Sequence, residues 1–181
     1  AASAGEVRFQ GQDITRLRTD RRVRLGIVYM SETSGFPGLT IAENIRIGGQ
    51  FVGAAELRRR TAELYTVFPA LAERRRALAS SLSGGQRKML GVAKALAAGP
   101  KLLVMDEPSA GLSPLFVKEV IHVLARFREQ GLSLLIAEQN VKFLELADRV
   151  YTLDGGRIGF AGTVPQMRAD DAIRRAYFGL K

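Results

Sequence analysis

Two short constellations in this chain have residue types and spacing suited to chemistry. The first is Leu82-Ser83-Gly84-Gly85-Gln86, which opens a helical pattern. Two glycines at a helix start leave backbone N–H groups uncovered, and the positive end of the helix dipole favours an anion there. Ser83 adds a hydroxyl donor. The same residues also read as a plain N-cap followed by a glycine turn. The second constellation lies about one helix and one strand downstream, where the apolar run Leu102-Leu103-Val104-Met105 ends in Asp106-Glu107-Pro108. Four apolar residues bury a strand and deliver two carboxylates at its C-terminal end, the edge at which open α/β sheets bind ligands. Asp106 is placed to hold Mg2+ through water and Glu107 to polarise an attacking water. Asp, Glu and Pro are also turn formers, so the tripeptide alone supports a solvated turn equally well. The two constellations at this spacing favour a phosphate-handling site.

The elements that must position these residues follow from hydrophobic periodicity. Residues 6–9 alternate and stop at Gly11, as a strand and turn do. Residues 25–30 form a short apolar run suited to a buried strand, followed by a loop carrying Gly35, Pro37 and Gly38. Thr40-Ile41-Ala42-Glu43 has a capping-box pattern. Leu57, Leu64, Tyr65 and Phe68 then recur at helical spacing opposite Arg58, Arg59, Arg60 and Glu63. A helix from Ser83 to about Ala98 stops at Gly99-Pro100 ahead of the strand over 102–105. Ser113 is expected to cap the next helix, with Pro114 at its first position and Val117, Val120, Ile121 and Leu124 buried; that helix ends near Gly131. A strand over 132–137, a helix over 141–147 and a strand over 149–153 complete the pattern. This rhythm predicts an α/β fold with a mostly parallel sheet and helices on both faces. A charged helical subdomain is inserted over 35–82. The chain thus divides into 1–34, 35–82 and 83–181, without internal repeats.

Here the sequence resembles the ABC ATPases, whose fold is of the P-loop NTPase (RecA-like) type. The motif at 82–86, the strand ending in Asp106-Glu107, and Ser109-Ala110-Gly111-Leu112-Ser113 look like the family's signature motif, Walker B and D-loop. Ser31-Glu32 falls at the Q-loop position and Gln139, in Ala137-Glu138-Gln139-Asn140, at the H-loop position. The resemblance implies ATP and Mg2+ as cofactors. Ser83, Gly84, Gly85, Gln86 and Glu32 would contact nucleotide, Asp106 and Glu32 the metal, and Glu107 and Gln139 would be catalytic. Most of the family has glutamine where Glu32 stands and histidine where Gln139 stands. A glutamine still donates a hydrogen bond to a phosphate but does not titrate, which leaves Glu107 as the main general base. Phe36-Pro37 with Leu39-Thr40-Ile41-Ala42-Glu43-Asn44, Glu138-Gln139-Asn140, Asp154-Gly155-Gly156-Arg157-Ile158 and Tyr177-Phe178-Gly179 resemble the branched-chain amino-acid importer branch, close to amide and urea importers.

A P-loop requires G-x-x-x-x-G-K-[ST], yet Lys88, Lys94, Lys101, Lys118, Lys142 and Lys181 all lack a preceding glycine. The family carries that motif upstream of the strand at 6–9, and the chain begins at Ala1. It is therefore expected to be truncated, to lack ATPase activity alone, and to offer its signature motif to a second ABC ATPase subunit in trans. The resemblance also implies transmembrane permease subunits as partners, a substrate-binding protein acting through them, and residence on the cytoplasmic face of the cell membrane.

Composition bounds the alternatives. The 181 residues suffice for one domain with a sizeable core. With no cysteine, disulfides and cysteine-ligated metal sites are excluded. No apolar run approaches the roughly 18 residues that span a bilayer. The net charge of +9 raises nucleic acid as a partner. No aromatic residues interleave the arginine clusters as base stacking requires, so no nucleic acid is expected. A non-transport ABC protein acting on DNA or ribosomes, and a non-catalytic remnant serving as an interaction module, are the two other readings. His122, mid-helix with no acidic or serine motif beside it, is expected to be structural.

Overall fold

The computed structural model describes residues 4–30, 35–171 and 173. Its first element is a small hairpin, β1 (Arg8–Phe9) and β2 (Gln12–Asp13), paired antiparallel across Gln10-Gly11. Helix α1 (Thr19–Leu25) follows, which the sequence pattern did not indicate. None of its residues is fully buried, and its four-residue polar stretch from Thr19 to Arg22 leaves no apolar stripe to read. Leu25 therefore ends a helix, and the strand expected over 25–30 is reduced to β3 (Ile27–Met30).

The segment 35–82 carries α2 (Ile41–Gly48), α3 (Ala54–Val67), α4 (Pro69–Glu73) and a 3-10 turn, Ala79–Ser81. Thr40 caps α2 with the full reciprocal box: Glu43 N–H donates to Thr40 Oγ1 at 3.2 Å and Thr40 N–H to Glu43 Oε2 at 2.8 Å. Hydrogen bonds from the Thr40 hydroxyl, at 2.7 Å, and the Thr40 N–H hold the Glu43 carboxyl below the usual carboxylate range. Asn44 is fully buried and ties the preceding loop down, taking Phe36 N–H at 2.8 Å and donating to Phe36 O at 3.0 Å.

Helix α5 (Gly84–Ala97) is the central element, with Met89, Leu90, Val92, Ala93, Leu96 and Ala97 buried. It packs on α2 through Gly48, where a Cβ would stand 2.0 Å from the Lys94 carbonyl oxygen. One hydrophobic cluster takes in Ile41, Ile45, Leu64 and Phe68 of the helical segment together with Leu90, Leu103, Val120 and Leu124.

Strand β4 (Leu102–Asp106) is the middle of a three-stranded parallel sheet ordered β3-β4-β5, where β5 is Ser133–Ala137; α6 (Pro114–Glu129) connects β4 to β5. Leu103 and Met105 face the core while Leu102 and Val104 are half-buried, the alternation a strand imposes. The outer strands are less covered than expected: Tyr29 is 60% and Leu135 58% exposed. Ser113 occupies the N-cap of α6 with Pro114 at the first turn, but its side chain makes no capping bond.

The C-terminal pattern needs two corrections. Residues 141–147 form not an α-helix but a 3-10 helix, Val141–Leu146, capped by Asn140 Oδ1 on Lys142 N–H at 3.1 Å. The strand expected over 149–153 does not join the parallel sheet. It is β6 (Arg149–Asp154), paired antiparallel with β7 (Arg157–Thr163) around Gly155-Gly156, with a register shift between Thr152 and Leu153. A tight glycine turn favours a local hairpin over a distant parallel partner. Helix α7 (Val164–Ala169) closes the described chain, capped by Thr163.

Candidate functional site

Register brings the two loops of the site together. Asp106 pairs with Ala137, so the chain leaves β4 and β5 at the same level of the sheet. Asp106 and Glu107 are both exposed at that edge. Glu107 N–H donates to Ala137 O at 2.9 Å, extending the ladder past the strand. Glu107 then adopts φ 44, a left-handed conformation that a non-glycine residue holds at a cost of about 1–3 kcal/mol. Ala110 N–H closes the turn on Glu107 O at 3.1 Å.

From the β5 side, Gln139 Nε2 donates to Glu107 Oε1 at 2.9 Å. The two residues singled out as catalytic from the sequence are thus in direct contact. Among the described residues, Glu107 Oε2 takes no hydrogen bond and remains open to solvent.

Sequence reasoning assigned nothing to Glu138, which the structure makes the junction of the two loops. Its Oε2 accepts Ser109 N–H at 2.9 Å, and its Oε1 accepts Gln139 N–H at 2.8 Å and Asn140 N–H at 2.9 Å. An acidic residue directly after an apolar strand, ahead of Gln-Asn, is the only trace of this in the sequence.

The glycine-led helix start is built separately. Leu82 is buried and anchors it, while Ser83 and Gly84 are exposed. Ser83 and Gln86 form a reciprocal capping box, with Gln86 N–H on Ser83 Oγ at 3.3 Å and Ser83 N–H on Gln86 Oε1 at 3.1 Å. Arg74 Nη1 also donates to Gln86 Oε1, at 3.2 Å. The N-cap reading of Ser83 is therefore realised, and it leaves the Gly84 side of the helix start open: a Cβ at Gly84 would meet nothing within 4 Å. Gly85 is different, since a Cβ there would lie 2.6 Å from the Phe116 ring of α6. With no acidic residue in its first turn, α5 presents an uncompensated positive end. Among the described residues no hydrogen bond or ion pair joins this helix start to the Glu107 cluster.

Glu32, and with it the expected Q-loop, lies outside the described residues, as do Tyr177, Phe178 and Gly179. Among the described residues no group of three or more His, Cys, Asp and Glu could hold a metal ion. Mg2+ ordinarily uses one or two carboxylates plus substrate phosphates and water, and Asp106 is an exposed carboxylate at the end of β4. His122 is on the exposed side of α6. A cavity of about 270 Å3 lies at the opposite end of the strands, lined by Gln10, Arg24, Gly26, Phe51 and Lys101 among others. Its lining holds no carboxylate and lies away from Asp106 and Glu107. Among the described residues no helix is long and apolar enough to cross a membrane.

Comparison with known proteins gives a consistent result. The family described as ABC transporter matches residues 1–110. The chain is 33% identical over 180 residues to the high-affinity branched-chain amino acid transport ATP-binding protein BraG of Pseudomonas aeruginosa, covering 98% of this chain and 77% of that protein. It is 34% identical over 180 residues to the probable branched-chain amino acid transport ATP-binding protein LivF of Archaeoglobus fulgidus, covering 98% and 76%. The lipopolysaccharide export system ATP-binding protein LptB of Haemophilus influenzae is 33% identical, covering 97% and 74%. Among solved structures, the ADP conformation of an ATP-binding cassette of an ABC transporter superposes with a TM-score of 0.81 at 24% identity, over 98% of this chain and 78% of that one. At that identity the superposition shows the fold.

Proposed function

This chain belongs to the ABC transporter family of ATP-binding proteins, and from that premise we propose that it is the ATP-hydrolysing motor subunit of an importer for branched-chain amino acids. The observation that carries the chemistry is the contact of Gln139 Nε2 with Glu107 Oε1 at 2.9 Å, which orients one carboxylate oxygen and leaves the other open. Glu107 Oε2 would take the proton of a water as its oxygen bonds the γ-phosphorus and the bond from phosphorus to the leaving ADP breaks. Asp106 would hold Mg2+ through water, where the ion offsets charge on the phosphoryl oxygens. Ser83, Gly84 and Gly85 would present hydroxyl and backbone N–H donors to a nucleotide held by a second ABC ATPase subunit. The helical segment 35–82 would carry the contact with the permease, reaching a substrate-binding protein through it.

Similarity to BraG and LivF supports the branched-chain substrate, and similarity to LptB marks the competing assignment. Uptake of labelled leucine, isoleucine and valine by source cells tests it. Deleting the gene should abolish uptake and restoring it should recover it; unchanged uptake would sink the substrate assignment.

One observation favours a second reading: no lysine of the chain follows a glycine, while Ser83-Gly84-Gly85-Gln86 is intact. A chain of this kind would complete the nucleotide site of a partner that supplies the P-loop. Mixing it with a P-loop-competent, signature-dead subunit should then restore phosphate release, and a silent mixture counts against it.

A further inference from the structure

We propose that Glu138 is a positioning residue that sets the Glu107–Gln139 pair, an inference that rests on reading Glu107 as the general base. Its carboxylate accepts three backbone N–H groups from two different loops. Ser109 comes from the loop after β4, and Gln139 and Asn140 from the loop after β5. Each contact is a charge-assisted bond to a half-buried carboxylate, about twice as strong as a neutral one.

The placement matters because of what lies between the fixed points. Glu107 is held through its own N–H by Ala137 O at 2.9 Å. The chain two residues later is held by Glu138 through Ser109 N–H at 2.9 Å. A left-handed non-glycine residue persists only where its surroundings over-determine it, and these two clamps flank the strained residue. The same carboxylate holds Gln139 N–H at 2.8 Å, fixing the backbone from which the Gln139 amide reaches Glu107 Oε1. Glu138 therefore aims both members of the pair while touching neither the Glu107 nor the Gln139 side chain. A glutamine in its place has a single acceptor oxygen, and its NH2 would face an N–H donor, so one loop must be released.

The test is hydrogen exchange of the protein without nucleotide, read by NMR. In the wild type, the Ser109, Gln139 and Asn140 backbone amides should exchange at least about tenfold more slowly than unbonded loop amides. Unprotected amides at these three positions overturn the proposal without any variant. In Glu138→Gln at least one of the two loops should lose that protection, and exchange of the Gln139 side-chain amide protons should quicken about tenfold. An unchanged Gln139 side chain in that variant also overturns it. Should Glu138→Gln fail to fold, Glu138→Asp keeps the charge and shortens the reach. Ser109 should then lose its protection, and its persistence refutes the positioning role. In the whole gene product, Glu138→Gln should lower kcat about tenfold per folded, nucleotide-binding site and leave KM for ATP within about twofold. Turnover of Glu107→Gln, measured beside it, judges the general-base reading separately, because the amide spectra require no hydrolysis.

Discussion

Glu107 combines an open carboxylate oxygen, a strained backbone and a neutral amide partner, and each property has a measurable consequence. Replacing it with glutamine retains shape and removes the proposed base. Turnover should fall by about 10²–10⁴-fold with nucleotide affinity retained, read by phosphate release and nucleotide binding on one preparation. Gln139 donates without titrating. Turnover should therefore show no imidazole limb across roughly pH 6 to 8, whereas Gln139→His should acquire one near about 6.5, moved upward by the adjacent carboxylate. The sign is fixed by that partner: the imidazolium form is favoured at low pH and lost as pH rises through its folded pKa. A wild-type profile already bearing such a limb would contradict the assigned partner. Asp106 and Glu107 were singled out by their place at a strand end, and Gln139 by the family resemblance at 137–140. The Glu138 contacts were not, because a carboxylate bound only to backbone N–H groups leaves no partner residue type to find.

At the scale of elements, caps and close approaches decide the geometry. Gly48 meets the Lys94 carbonyl so closely that Gly48→Ala should force α2 from α5 and cost about 3 kcal/mol in chemical denaturation. Gly85→Ala should cost less, because the Phe116 ring can turn away where a backbone carbonyl cannot. In α3, Arg59 beside Glu56 holds that carboxyl down to about 2. Because the folded pKa is depressed, its contribution is present above the unfolded value near 4.5 and is lost as pH falls through about 2. Glu56→Gln should flatten acid unfolding in that window, by a small amount since the pair is exposed to salt and water. The helices with apolar residues at helical spacing, α2, α3, α5 and α6, were legible in the sequence, and α2 and α5 also carry capping boxes. Helix α1 was not, lacking a buried stripe, and β6 was legible as a strand but not as the partner of β7. Periodicity specifies a strand's faces and is silent about which neighbour it pairs with.

At the scale of the molecule, one core joins the helical segment to the sheet, while the outer strands keep apolar side chains in solvent. Leu135, Leu153 and Ile158 are 58%, 70% and 63% exposed, and β3 and β5 each pair on one side only among the described residues. Unpaired strands and apolar surface of this kind favour association. Sedimentation should show concentration-dependent self-association of the chain, weakened by Leu135→Lys; a monomer at every concentration would contradict this. The net charge of +9 sits largely in arginine-rich surface segments, so association with anionic surfaces should weaken with salt. Mg2+-dependent phosphate release by the whole gene product is the direct measure of whether ATP is hydrolysed with Glu107 as the base. Steady release from the wild type and its loss in Glu107→Gln are expected. No release from the wild type, or equal release from both, would contradict hydrolysis with Glu107 as the base.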